Sequence, residues 1–282
     1  NIQPDGVARA VTSATKAVIA VHYAGHPVEL KAIRSITEEF GLQLIEDAAH
    51  AVGAAFENQP IGCGSNLTAF SFYATKNLTT GEGGMLTGDP ELLGRARVVG
   101  LHGMNREAWS RYAAGGKWAY DIVEPGFKYN MTDIQAALGL QQLRRFDRMQ
   151  ARRKQIVDTY NAAFAPHAAF LLPVTRSHVT HAHHLYVLRL RPSELTINRD
   201  RFIEELTARN IGSSVHFIPI HMHSFYRNRY GWQPDDFPVA HAAFRNMVSL
   251  PLSPAMSDQD VADVIEAVLD IRQCFARRRA AA

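Results

Sequence analysis

The first 100 residues alternate strand-like with helix-like segments, and two of the strand-like segments lead to side chains that can ionise. "KAVIAVHYAG" (16–25) reads as a buried strand, and "PVELKAIRSITEEFG" (27–41) as an amphipathic helix with Pro27 at its start and Gly41 at its end. "LQLIED" (42–47) is the next strand, and "TAFSFYA" (68–74) and "GGMLTG" (83–88) follow as strand candidates. Such alternation predicts an α/β domain with a mostly parallel sheet. In sheets of this kind ligands bind outside the C-terminal ends of the strands. Asp47, closing "LIED", and Lys76, following "FSFYAT", both stand at such ends.

From about Thr132 to Phe164 the pattern turns helical. Ile134, Leu138, Gln141 or Gln142, and Phe146 recur at helix spacing, which predicts one long helix linking a large domain (1–150) to a smaller C-terminal α+β domain (151–282). The second domain reads as a strand, "HHLYVLRL" (183–190), a helix, "RDRFIEELTARNI" (199–211), a strand, "SSVHF" (213–217), and a closing helix, "SDQDVADVIEAVLDIRQCF" (257–275). The tail "ARRRAAA" reads as a frayed, solvated end.

Composition excludes several classes of function. The 282 residues are 46% hydrophobic, enough for one or two cored domains. A net charge of +3 is too small an excess to argue for nucleic acid, and no basic stripe carries interleaved aromatic residues. No apolar run approaches the roughly 20 residues that span a bilayer. Cys63 and Cys274 make no CxxC pair, and the opening "NIQPDGVARAV" is not a signal peptide, so the reading is cytoplasmic. That opening lacks a methionine and starts in mid-pattern, so the natural N-terminus is expected upstream.

A lysine is ordinarily a solvated surface residue. Held at a strand end and partly desolvated, it acquires a lowered pKa and becomes a nucleophilic amine able to form a Schiff base. The "NLTTGEGG" that follows Lys76 offers small residues and pliable backbone to a bulky planar ligand. It is not a P-loop, because the lysine precedes the glycines. Asp47, taken alone, is read equally well as a helix cap. Together the two meet the needs of pyridoxal phosphate (PLP), which requires a lysine to hold it and a carboxylate to keep its ring nitrogen protonated. The histidines of "HAHH" (181–184) and "HFIPIHMH" (216–223) form a competing metal-binding reading. No cysteine or carboxylate stands among them at familiar spacing, and adjacent His183 and His184 would point to opposite faces of a strand; no metal site is assigned.

"EDAAHAVGA", "FSFYATKNLTTGEGGML", "GFKYNMTDIQAALGLQQL" and "SLPLSPAMSDQDV" closely resemble the PLP-dependent nucleotide-sugar aminotransferases of the DegT/StrS group, of fold type I in the aspartate-aminotransferase superfamily. "HGMNREAWSRY" and "SVHFIPIHMHSFYRNRYG" lean toward members that aminate a 4-keto nucleotide sugar, such as those forming UDP-4-amino-4-deoxy-L-arabinose. The resemblance implies that Lys76 holds the cofactor and that Asp47 pairs with its ring nitrogen. It places His50 near the ring 3-oxygen, Ser71 at the cofactor phosphate, and Asn130 at the phosphate site of a neighbouring subunit, hence a homodimer with shared sites. His216 and His221 fit as sugar or pyrophosphate contacts. A related dehydratase branch carries histidine in place of Lys76, so lysine favours amino transfer.

The same resemblance implies a keto nucleotide sugar as substrate, glutamate as donor, and a product destined for a surface polysaccharide, lipid A or an antibiotic. Family members also carry, ahead of the point where this chain opens, a Ser/Gly-Thr turn that grips the phosphate at a helix N-terminus and an aromatic residue that stacks on the ring. Neither is found in this sequence, so weak cofactor binding and poor solubility are expected of the 282-residue chain. A catalytically silent homologue that keeps the fold and dimerises is the alternative that follows.

Overall fold

A computed structural model describes residues 1–105 and 120–277. The part of "HGMNREAWSRY" from Arg106 onward and the tail after Arg277 lie outside the described residues. The chain divides into two compact units, Asn1–Asp147 with Arg176–Ala182, and Arg148–Thr175 with His183–Ala282.

In the first unit the order runs α1 (Pro4–Ala10), β1 (Ala17–Val21), α2 (Leu30–Glu39), β2 (Gln43–Asp47), β3 (Ala55–Phe56), β4 (Gln59–Pro60), β5 (Leu67–Ser71), β6 (Gly84–Thr87), α3 (Pro90–Val99) and α4 (Asp133–Leu143). The main sheet has the order β1-β2-β5-β6. β1, β2 and β5 are parallel, and β6 closes the edge antiparallel to β5. Helix α2 begins at Leu30 rather than at Pro27, because the Val28 N–H donates to the buried His22 ring at 3.2 Å. Its end is as the sequence predicts: Gly41 follows at φ +63, a conformation that a side chain would strain.

One face of this sheet is packed. Val18, Ala20 and Leu44 join Val28, Ile33, Ala48 and Phe56 in a core. The other face is open. Ile19 is 62% exposed and Val21 is 43% exposed, so β1 is not the strand buried on both sides that "VIAV" suggests. Register then assigns the site. Val21 pairs with Asp47 and Asp47 with Ala69, and side chains alternate along a strand, so Asp47, Ala69 and Ser71 all lie on the open face.

The predicted long helix is two helices. α4 ends at Leu143, and α5 (Phe146–Phe164) starts after a tightened turn in which the Arg145 N–H bonds to the Gln142 carbonyl at 3.0 Å. β7 (Phe170–Leu171) follows in the second unit, and the chain then returns to the first unit for β8 (Val179–Thr180), antiparallel to β3. β9 (Tyr186–Leu190), α6 (Arg199–Ala208), α7 (Ser224–Tyr230), α8 (Pro238–Asn246), β10 (Met247–Leu250) and α9 (Asp258–Cys274) complete the second unit. β10 and β7 flank β9, both antiparallel to it. Tyr160, Phe164, Tyr186, Leu188, Phe202, Leu206, Val248, Val268 and Ile271 form its core. α9 opens with a capping box, the Ser257 hydroxyl bonding the Asp260 N–H while the Asp260 carboxylate accepts from Ser257.

Two sequence expectations are corrected here. "SSVHF" is not a strand: Ser214 exchanges both backbone bonds with Ser249 (3.2 and 2.7 Å) and the pairing stops there. The strand beside β9 is β10, buried along its whole length. His183 and His184 precede β9, and His183 has φ +48, so strand alternation does not govern them. Among the described residues no helix is long and apolar enough to cross a membrane.

Candidate active site

β2 ends in two consecutive acids, and alternation sends them to opposite faces. Glu46 turns into the core and is 1% exposed. Its Oε2 lies 3.1 Å from His22 Nε2, while its Oε1 accepts from Asn66 at 3.0 Å and from Arg34 at 3.4 Å. Because His22 Nδ1 accepts the Val28 N–H, the ring proton sits on Nε2 and points at the carboxylate. The His22 main-chain N–H also donates to the Asp47 carbonyl at 3.0 Å, so one residue holds both acids, one through its ring and the other through its backbone.

Burial opposes ionisation of Glu46, but the bonds from His22 and Asn66 and the neighbouring positive charge outweigh it and hold its pKa below the ordinary 4.5. Its stabilisation is therefore present above that value and lost as pH falls through the lower folded value. Glu46→Gln should lower the urea midpoint at pH 7, and the gap from wild type should close as pH drops below about 4.5. Equal midpoints at pH 7 would exclude an ionised Glu46.

Asp47 faces the open side. One carboxylate oxygen accepts the Ala49 N–H at 3.0 Å, which makes Asp47 a cap for the turn after β2. Lys76 stands beyond the end of β5 in a loop that folds back on itself. The Lys76 N–H reaches the Tyr73 carbonyl (2.9 Å), the Phe72 carbonyl accepts from Thr80 N–H (2.9 Å) and Thr79 Oγ1 (3.1 Å), and the Phe72 N–H reaches Gly83 (2.8 Å). Gly84 must lack a side chain, because a Cβ there would lie 2.6 Å from the Phe70 carbonyl oxygen. Lys76 is half-buried. Desolvation lowers its pKa, and the Asp47 charge partly restores it, so the structure couples these two residues electrostatically.

His50 is buried behind them, and its Nδ1 accepts the Ala24 N–H at 3.2 Å, leaving the ring proton on Nε2. Tyr23, beside the His50 ring at 6.4 Å, has its phenol pushed up to about 12 by burial. Ser71 sits at the end of β5 with its hydroxyl accepting the Tyr73 N–H at 3.3 Å. Asn130, exposed just ahead of α4, accepts a hydrogen bond from the Lys128 ammonium. Asp47, His50, Ser71, Lys76 and Asn130 thus belong to the first unit.

His216 and His221 belong to the second unit. His216 Nδ1 lies 2.9 Å from Ser249 Oγ. His221 is buried and packs on Phe237 at 4.6 Å, and its Nε2 makes no hydrogen bond among the described residues. Sequence reasoning missed the His22–Glu46 pair. The signal was there: of two consecutive acids ending a half-buried strand, one must enter the core and find donors.

A partly desolvated lysine coupled to a carboxylate, both at or beyond strand ends of a mostly parallel sheet, is the set of groups that amine chemistry on a carbonyl requires. The family model of the DegT/DnrJ/EryC1/StrS aminotransferases matches residues 1–269, and the chain belongs to that family. It is 48% identical over 273 residues to the spore coat polysaccharide biosynthesis protein SpsC of Bacillus subtilis, spanning 96% of this chain and 70% of SpsC. Among solved structures it is similar to Spr1654 of Streptococcus pneumoniae in its PLP form (TM-score 0.86, 32% identity, 97% of this chain and 72% of that one). It is also similar to PseC of Helicobacter pylori, an aminotransferase involved in pseudoaminic acid biosynthesis (TM-score 0.88, 26% identity, 98% and 71%). Its fold is fold type I of the aspartate-aminotransferase superfamily.

Proposed function

We propose that this sugar aminotransferase converts a keto nucleotide sugar to the amino sugar with glutamate as donor, on a site centred on Lys76 and Asp47. The observation that carries this reading is that Lys76, half-buried beyond the end of β5, lies within electrostatic reach of Asp47 at the end of β2. The cofactor of the family is PLP, and the residues present fit it. A cofactor aldehyde needs an amine that is neutral part of the time, and a pyridine nitrogen needs a charged carboxylate. When bound, PLP supplies an electron sink for the bond broken at the amino-bearing carbon.

The protein's own residues do the rest. Asp47 holds a proton on the ring nitrogen by its charge, and its backbone is fixed by His22. His50, its ring held through Nδ1 by the Ala24 N–H, would stand at the ring oxygen. Lys76 would hold the cofactor through Nζ and, as a free amine, would serve as the general base and acid that moves the proton during amino transfer. Ser71 and, from a second copy, Asn130 would serve the phosphate.

The homodimer in this reading is supported by the outer surface around Asn130. Ile134 is 84% exposed and Tyr129 is 75% exposed, and Leu138, Leu140, Leu143 and Phe127 are exposed as well. An apolar area of that extent is unusual on a solitary molecule. Incubating the chain with PLP, reducing with borohydride and mapping peptides should place the pyridoxyl group on the peptide containing Lys76. Label found chiefly on another lysine overturns the assignment. With glutamate and a UDP-4-keto sugar, the competent enzyme should release 2-oxoglutarate.

A further inference from the structure

Helix α4 is inside out. Its apolar residues Ile134, Leu138, Leu140 and Leu143 face outward, and the inward face carries Gln135, Ala136, Gly139 and Gln142, spaced i, i+1, i+4 and i+7. What that inner face meets is the loop following Lys76. Gln142 Oε1 accepts the Thr79 N–H at 3.0 Å, and Gln135 Nε2 donates to the Glu82 carbonyl at 2.9 Å. Between them the helix comes so close that a Cβ on Gly139 would lie 3.0 Å from Thr80 Cγ2. The two amides, one at each end of the helix, therefore hold both ends of the 79–82 turn.

We propose that Gln142 and Gln135 are positioning residues for Lys76, a two-point clamp that keeps its loop folded in the orientation facing Asp47. This rests on the role proposed for Lys76. The backbone sets the polarity of the two contacts. Thr79 offers a donor, so position 142 must supply an acceptor; Glu82 offers a carbonyl, so position 135 must supply a donor. Gln135 Oε1 meanwhile accepts from Thr132 N and Oγ1, both at 2.9 Å, which closes the capping box of α4.

The same substitution should then act in opposite ways at the two ends. Gln142→Glu keeps the acceptor for Thr79, whereas Gln142→Leu removes it. Gln135→Glu keeps the helix cap but turns a carboxylate oxygen on the Glu82 carbonyl. The test is amide hydrogen exchange across residues 73–84 of the cofactor-free chain, paired with the concentration of PLP needed for borohydride trapping at Lys76. Relative to wild type, Gln142→Leu and Gln135→Glu should each exchange roughly tenfold faster in this loop and need roughly tenfold more PLP. Gln142→Glu should stay within about threefold on both.

If Gln142→Glu and Gln142→Leu behave alike, or if Gln135→Glu matches wild type, the clamp is wrong. If Gln142→Leu fails to fold, the contrast between the two glutamate variants still decides. If wild type is not trapped at Lys76 at all, the functional reading fails, while the exchange contrast still rules on the clamp.

Discussion

Replacing Lys76 with alanine is expected to lower amino transfer by roughly 10⁴-fold or more, because it removes both the covalent anchor and the general acid/base. The protein should still fold. Lys76 is half-buried, and the bonds that shape its loop use the backbones of Phe72, Tyr73, Thr80 and Gly83, all of which alanine preserves. Single-turnover release of 2-oxoglutarate from glutamate measures the loss. Adding a small primary amine such as ethylamine should restore part of the rate, since it returns a proton carrier to the vacated space. Full activity in the alanine variant would move the chemistry to another residue.

Asp47→Asn should have the second largest effect. Asparagine keeps a side-chain oxygen where Asp47 accepts the Ala49 N–H at 3.0 Å, so the cap after β2 survives and the melting temperature should change little. The charge does not survive. Removing one member of a partly buried charge pair costs about 2–5 kcal/mol, which in the transition state is roughly 30- to 5,000-fold in rate. A separate readout follows from the direction of the coupling. Asp47 raises the Lys76 pKa against the pull of burial, so the variant should lower it further. In the cofactor-free protein, acylation of Lys76 by an activated ester should then show its half-maximal rate at a lower pH than in wild type. A variant with wild-type turnover and an unmoved acylation profile would reduce Asp47 to a cap.

The alternating segments of the first 100 residues were legible because parallel strands and the helix between them carry different periods. The ends of "LIED" and "FSFYAT" were enough to place Asp47 and Lys76. Periodicity says that a segment has two faces, but not what either will meet. "VIAV" reads the same whether one face or both are covered, and Ile19 proves to be on an open one. "DIQAALGLQQL" shows its apolar residues clearly, and yet it is the glutamines and the glycine that turn inward, because the neighbouring loop offers unpaired backbone groups. Strand pairing in the second unit was misread for a related reason. "SSVHF" has the residues of a strand, but its partner Ser249 lies in β10, and only Ser214 reaches it.

The tandem acids of β2 limit how this protein can be redesigned. A buried carboxylate such as Glu46, held by His22 and Arg34, is ordinarily a promising target for thermostabilisation, since well-packed apolar residues often do as well or better. Here that exchange has a hidden cost. The ring that steadies Glu46 belongs to the same residue whose backbone N–H holds the Asp47 carbonyl. Selection for a tougher core at position 46 would thus act, one peptide unit away, on the carboxylate that the chemistry needs, and variants that gain melting temperature there should lose turnover with it.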